Sequence, residues 1–341
     1  MAGCKERAEV AESVTLPLSI TLPAGEVHAA MNAPQRRVPG DPGTTERFLL
    51  PQHIYYFVTM YADDEWKVMY TLHSEPTSEQ WIKRRYSGTL QTDGDSIYEY
   101  TEHINLMMSY KRTDGQVYAI ASAVPLTFNK SMSAVRSMDD LLSLTFDASS
   151  TTVQQNLQHI YTSPYNYKVN GSYYGAFSTI GKRAQTMNLM LYHVAAKVDI
   201  KWNVVDTMRI NLSDPSEAVR LTYMDARRLY NGNAYCFKPL RNTVAELPSS
   251  GYDIHIVTQT DEGLWWEGRA YFYTIPYTVE GEKRYFPLQM LMRTNGTSGT
   301  GYQLTLNQPI DTTAAFVPWL RGNFNLTKPL ENKSETKTIG S

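Results

Sequence analysis

Strict alternation of apolar and polar residues marks the first patterned segment of the chain, residues 13–23. This period of two predicts a β-strand with one buried face. Pro17 lies on the polar face and has no N–H to donate, so we expect an edge strand or a strand whose N–H side is unpaired there. The apolar face carries Val14, Leu16, Leu18, Ile20 and Leu22.

Residues 24–47 show no such period and are rich in Ala, Pro, Gly and Arg, which predicts an exposed linker. Beyond the linker, strands are predicted at 48–61 and 66–72, joined by a turn at 62–65, and again at 98–110 and 116–124. The Asp-Gly dipeptide at 114–115 predicts a tight turn between the last two. Ser137 and Asp140 have the spacing of a capping box, which predicts one short helix over residues 138–144.

A second series of strands follows a break in the pattern near Gly181. Short strands at this spacing, with hardly any amphipathic helix, predict an all-β protein of two β-sandwich domains in tandem. The predicted units are an N-terminal domain at 13–182, a C-terminal domain at 183–319 and a polar, disordered tail at 320–341. The strands of the second series are predicted at 189–205, 216–223, 253–260, 264–276, 283–294, 301–306 and 314–319, with a helical turn at 225–229.

Composition narrows the class of protein. With 341 residues, of which 42% are hydrophobic and 19% charged, the chain should fold and bury substantial cores. The formal net charge of −2 offers no general attraction for nucleic acid, so we expect no nucleic acid partner. Only two cysteines are present, which excludes a disulfide framework.

The residues Met1-Ala2-Gly3-Cys4 resemble the end of a bacterial lipobox, in which a cysteine is lipidated after export. On this interpretation the chain begins inside a signal peptide, and residues 1–12 form a lipidated tether to the outer membrane. The alternative is that Cys4 is an incidental residue of a frayed terminus.

Motifs of catalysis and cofactor binding are missing from the sequence. There is no Walker loop, no nucleophile elbow and no His-Glu-x-x-His, and the seven histidines are scattered singly. We therefore expect no catalytic residues, no metal ligands and no cofactor. Exposed aromatic side chains could instead stack on sugar rings, although filling of the core is the simpler interpretation. The candidates are Trp265 and Trp266 and the cluster Tyr161, Tyr165, Tyr167, Tyr173 and Tyr174.

Three stretches together resemble the fimbrillin family of Bacteroidales, exported lipoproteins that form or anchor fimbriae. The first is Cys4 with the alternating strand and the Arg-containing linker. The second is the segment 194–202, VAAKVDIKW, and the third is 301–307, GYQLTLN, followed by Val-Pro-Trp at 317–319. The segment 118–121, YAIA, is also similar to an inner strand of the family, although the family's Asn is replaced.

This resemblance implies two transthyretin-like, Greek-key β-sandwiches and a non-catalytic surface lipoprotein that acts in fimbrial assembly or adhesion. It also implies β-strand exchange, in which an Arg-specific protease cuts the linker, the strand 13–23 leaves, and another subunit's strand replaces it. The candidate cut sites are Arg36, Arg37 and Arg47. The departure from the family lies in the tail, which offers a donor strand only Phe324, Leu326 and Leu330. A tip or anchor role is therefore favoured over a polymerising one, and a surface glycan-binding lipoprotein is the alternative function. A hydrolase with carboxylates in a cleft between the domains is a third, less favoured alternative.

Overall fold

The computed structural model describes more than half of the chain, and within those residues it contains many β-strands and only two short α-helices. This confirms the all-β prediction, while the division into two tandem domains stays a prediction. The described residues are 12–23, 49–85, 96–108, 113–163, 168–169, 172–173, 176–180, 183–184, 187–203, 221–230, 232–237, 243–244, 252–258, 267–275, 278–279, 288–294, 303–308, 319–321 and 335–338.

Fourteen strands are described up to residue 193. They are β1 Glu12–Pro23, β2 His53–Ala62, β3 Glu65–Ser74, β4 Ile82–Arg85, β5 Ser96–Met108, β6 Thr113–Ser122, β7 Thr145–Asp147, β8 Ile160–Thr162, β9 Lys168–Val169, β10 Ser172–Tyr173, β11 Ala176–Ile180, β12 Arg183–Ala184, β13 Met187–Met190 and β14 Tyr192–His193. The α-helices are α1 Met138–Leu142 and α2 Thr151–Gln154, and single 3-10 turns lie at Ser78–Gln80, Met132–Ala134 and Leu157–His159.

The strands described after residue 195 pair mainly with one another. They are β15 Ala196–Asn203, β16 Leu221–Leu229, β17 Asn233–Tyr235, β18 Thr243–Val244, β19 Tyr252–Thr258, β20 Glu267–Thr274, β21 Thr278–Val279, β22 Leu288–Thr294, β23 Gln303–Gln308, β24 Trp319–Arg321 and β25 Glu335–Thr338. One sheet has the order β20-β15-β24 and another the order β19-β16-β22-β23-β25.

Two sheets enclose the core that contains β1. One has the order β13-β1-β5-β4, and the other is a seven-stranded sheet whose path runs β12-β11-β6-β2-β3, with β8 paired to β6 and β14 to β8. The cluster between these sheets, which we call the front core, consists of Val14, Leu16, Leu18, Ile20, Leu22, Ile54, Tyr56, Val58, Met60, Trp81, Tyr100, Ile104, Leu106, Val117, Ala119, Ala121, Tyr161, Met187, Leu189 and Leu191.

A second cluster, which we call the back core, covers the opposite face of the seven-stranded sheet. Because β2 is covered on both faces, seven consecutive residues, from Ile54 to Met60, are buried. The back core consists of Tyr55, Phe57, Val68, Tyr118, Ile120, Leu126, Val135, Leu141, Leu144, Phe146, Ala148, Val153, Leu157, Ile160, Val194, Ala195, Ala234, Cys236, Phe237 and Ile275.

Local signals placed two of the predicted features correctly. The β2–β3 hairpin turns at Asp63 and Asp64, which adopt φ of 52° and 64°, as the favoured two-residue hairpin turns require. The capping box of α1 is also present: Ser137 Oγ accepts a bond from the Asp140 N–H at 3.1 Å, and Asp140 Oδ2 accepts one from the Ser137 N–H at 3.1 Å. These signals succeed because each depends on contacts between near neighbours.

Two other local predictions are wrong. The expected turn at residues 113–115 lies inside β6, because Thr113 to Gly115 pair with Phe177 to Thr179 of β11. Strands β5 and β6 also belong to different sheets. The expected helical turn at 225–229 is part of β16, which pairs on both sides and carries register shifts there. In both cases pairing with a distant strand overrode the local preference.

The pairing also runs across the predicted division at 182/183. Strand β13 pairs with β1, β14 pairs with β8, and β17 pairs with β7. The predicted single strand at 189–205 is therefore three strands, β13, β14 and β15. In the tail, where disorder was expected, β25 pairs in parallel with β23. No helix among the described residues is long and apolar enough to span a membrane.

Candidate functional site

The candidate site is β1 and the groove that it fills. On one edge β1 pairs with β5 in antiparallel register along its whole length, from Glu12 opposite Met108 to Pro23 opposite Ile97. On the other edge it pairs in parallel with β13, but only from Leu18 to Thr21. Among the described strands, the first half of β1 therefore has a single partner.

Pro17 fits this arrangement without losing a hydrogen bond to β5. The carbonyl of Thr21 accepts a bond from the Leu191 N–H at 2.9 Å, so the backbone groups of Thr21 point toward the β13 edge. Backbone groups of alternate residues point to the same edge, and those of Pro17 therefore point there too, one residue before the pairing with β13 begins. Within the described part of the chain no strand pairs with Pro17 on this edge, which agrees with the second of the two expectations, a strand whose N–H side is unpaired at this position.

The apolar face of β1 is enclosed by protein. Leu16, Leu18, Ile20 and Leu22 are 0% exposed and Val14 is 3% exposed. Complete burial of one such side chain stabilises a fold by about 1.5–3 kcal/mol, so the five together contribute a large share of the front core's stability. The groove that receives them is formed by apolar residues of β2, β5, β6 and β13.

The polar face of β1 is tied to β5 by side-chain hydrogen bonds. Thr15 Oγ1 donates to Asn105 Oδ1 at 2.8 Å, and Ser19 Oγ donates to Glu99 Oε1 at 2.5 Å. The other carboxylate oxygen of Glu99 pairs with the guanidinium of Arg84 on β4. These contacts fix the register of β1 in addition to its backbone ladder.

One carboxylate lies on the groove side of β5. Glu102 Oε2 accepts hydrogen bonds from Tyr100 Oη at 2.9 Å and from Ser74 Oγ at 2.7 Å. Burial, followed by the hydrogen bond and the charge of Glu102, raises the pKa of Tyr100. Burial likewise raises the pKa of Tyr56. Both phenols therefore stay protonated, and Glu102 supplies the hydrogen-bond acceptor for the Tyr100 hydroxyl in the groove.

Several residues of the sequence hypothesis lie outside the described residues: Cys4, the candidate cleavage residues Arg36, Arg37 and Arg47, the pair Trp265 and Trp266, and Tyr165, Tyr167 and Tyr174. Of the proposed sugar-stacking tyrosines, Tyr161 lies in β8 and is 0% exposed, which excludes it from stacking on a ligand in this structure. Tyr173 lies in β10.

One cluster of polar residues was missed by sequence reasoning. His53 at the start of β2 and His73 on β3 lie beside Glu75, and one ligand atom from each lies within 4.8 Å of the others. The histidines look isolated along the chain. The β2–β3 hairpin could have revealed them, because its register places Tyr55 opposite His73 and so brings His53 next to Glu75.

Comparison with known proteins returns no matching family model and no matching curated protein. Among solved structures, a fimbrial assembly protein from Parabacteroides distasonis is similar at 14% identity and a TM-score of 0.39, covering 86% of each chain. The fimbrial anchor protein Mfa2 from Porphyromonas gingivalis is similar at 9% identity and a TM-score of 0.29, covering 84% of this chain and 80% of Mfa2. Both structural similarities are distant.

Proposed function

We propose that this chain is a cell-surface, fimbrillin-like protein that serves as a structural and adhesive component of fimbriae and not as an enzyme. The sequence motifs at 194–202, 301–307 and 317–319 support the proposal. The observation that carries it is the packing of β1, a segment from the start of the chain that fills an apolar groove between two sheets.

The packing of β1 suits β-strand exchange. The polypeptide leads from β1 into residues 24–47, a segment that contains Arg36, Arg37 and Arg47. A cut there would leave β1 held only by noncovalent contacts. Its departure would uncover the apolar groove together with the backbone edge of β5, and a second strand with the same alternation would restore both. The partners in this proposal are other fimbrial subunits.

Attachment to the outer membrane would come from a lipid on Cys4. A single tether at the N-terminus leaves the folded part of the protein free to contact a partner or a host surface. The tail from residue 320 offers a donor strand few apolar residues, and Glu335–Thr338 already pairs with β23. This favours a tip or anchor subunit that keeps its own first strand over a subunit that donates its tail to the next.

Limited proteolysis with an Arg-specific protease tests the proposal, followed by intact mass measurement and size-exclusion chromatography. We expect a cut after Arg36, Arg37 or Arg47. If the subunit polymerises, the 12-residue strand β1 leaves and oligomers grow; if it is a tip or anchor, the cut chain keeps β1 and stays monomeric.

A matched control replaces all three arginines with lysine, which keeps the charge and removes the cleavage sites. The control should remain intact and monomeric under the same conditions. Cleavage of the original chain elsewhere, with residues 24–47 intact, would contradict the proposed role of the linker.

A further inference from the structure

The cluster of His53, His73 and Glu75 lies at one end of the β2–β3 hairpin, and none of its three residues belongs to the front core. His53 Nδ1 lies 3.3 Å from His73 Nε2 and 3.5 Å from Glu75 Oε1. His73 Nε2 lies 3.9 Å from the same carboxylate oxygen. Three atoms that could bind a metal ion, His53 Nδ1, His73 Nε2 and Glu75 Oε1, therefore form a small triangle.

The size of this triangle fits a tetrahedral metal ion. Zinc bonds to histidine nitrogen and carboxylate oxygen are about 2.0–2.2 Å long, which places neighbouring ligands in a tetrahedral site about 3.3–3.6 Å apart. Two of the three separations fall in this range. The third is longer by a few tenths of an ångström, and the Glu75 side chain is 67% exposed and can rotate to shorten it.

The surroundings hold both imidazoles in place. The ring of Tyr55 stacks on that of His73 with centroids 4.4 Å apart and an angle of 5° between the planes. The two imidazoles are themselves near-parallel, with an interplanar angle of 19°.

We propose that His53, His73 and Glu75 form a binding site for a divalent transition-metal ion, with Zn²⁺ as the best-fitting candidate. Two imidazole nitrogens and one carboxylate oxygen suit a divalent transition-metal ion, whereas Mg²⁺ and Ca²⁺ prefer sites made of oxygen ligands alone. His73 and Glu75 are exposed, so a remaining coordination position is open to water or to a side chain of another molecule.

A bound ion would join the first residue of β2 to the segment just after β3. His53 follows the linker and opens β2, whereas Glu75 comes directly after Ser74, the last residue of β3. The ion would therefore close the open end of the hairpin, opposite its Asp63-Asp64 turn. This inference does not depend on the proposed function in fimbriae.

Isothermal titration calorimetry with ZnCl₂ tests the site on the full, tag-free chain after treatment with a chelator. We expect saturable binding of one ion per chain. His73→Ala should weaken it by at least about tenfold, since loss of even an indirect metal contact commonly has this effect. Glu75→Gln should also weaken it, because it removes the only negative charge among the three ligands.

The matched control is His103→Ala, which removes an exposed histidine on β5. It should bind Zn²⁺ as the original chain does, and circular dichroism should show that each variant is folded. Absence of saturable binding, or unchanged affinity in both His73→Ala and Glu75→Gln, would overturn the proposal. An equal loss in His103→Ala would overturn it as well.

Discussion

The two faces of the seven-stranded sheet are covered in different ways. The front core is closed by long strands, and a single segment from the start of the chain, β1, contributes five of its side chains. The back core is closed by short pieces: α1, α2, β7 and residues 234–237, which are drawn from distant parts of the sequence. Apolar burial stabilises both cores. In the front core, however, one continuous strand supplies five of the buried side chains.

This difference bears on function. A single extended strand with one continuous ladder can be replaced by another strand of the same pattern. Among the described residues, the back core offers no such long segment, since its pieces are held by short contacts such as the three-residue pairing of β17 with β7 and the bond from the Cys236 N–H to the Leu144 carbonyl at 3.0 Å. If the proposed strand exchange takes place, the described residues therefore favour the front core over the back core as its location.

The largest expected effect comes from placing charges in the front core. Replacing Leu18 and Ile20 together with Asp should lower the free energy of unfolding by at least about 4 kcal/mol, because both side chains are fully enclosed by apolar groups. Urea denaturation measures the loss. Ser13→Asp, on the exposed face of the same strand, is the control and should change stability by less than about 0.5 kcal/mol. Equal midpoints for the double variant and the control would show that β1 does not fill the groove.

A large cavity in the back core should also lower the free energy of unfolding. Phe237 contacts Phe57 and Tyr118 edge to face, each at a centroid distance of 5.6 Å. Phe237→Ala should therefore destabilise the protein by about 3–5 kcal/mol. Denaturation of this variant beside Leu16→Ala, for which about 2–5 kcal/mol is expected, compares the two cores. A loss below about 1 kcal/mol would mean that residues 234–237 are not part of the back core.

A smaller effect is expected where α1 covers the back core with Leu141. Ser137→Ala removes the N-cap acceptor and should cost about 1 kcal/mol. Ser78→Ala, an exposed serine of the Ser78–Gln80 turn, is the control and should be close to neutral. Thermal unfolding distinguishes the two variants. Equal melting temperatures would show that the capping box does not contribute to the stability of this face.

The smallest expected effect is a pH dependence of the melting temperature, which arises from Asp140 in the capping box of α1. The ion pair with Lys130 and the hydrogen bonds from the Arg136 and Ser137 N–H groups lower the pKa of Asp140. A lowered folded pKa means that the stabilisation is present above the ordinary value of about 4 and is lost as pH falls through the lower folded value. The original chain should therefore melt above Asp140→Asn at pH 7, and the gap should close in acid. A gap independent of pH would contradict this assignment.

Sequence reasoning placed β1, the β2–β3 hairpin and the capped helix α1 correctly, since each is encoded by neighbouring residues. Alternation in β1 requires only that one face be buried, and the Asp63-Asp64 turn requires only two residues of suitable φ. The burial of the five apolar residues of β1 also follows from the pattern. The pattern does not predict which residues form the groove, because the walls of the groove come from β2, β5, β6 and β13.

Tertiary structure alone decided which strands pair and what each face of a sheet contacts. Residues 113–115 have a turn sequence, yet they lie in β6 because β11 supplies hydrogen bonds there. The cluster of His53, His73 and Glu75 likewise forms only when two strands align. Local alternation and turn chemistry are encoded in consecutive residues, whereas partner choice depends on contacts between residues far apart in the chain, whose energies no short segment contains.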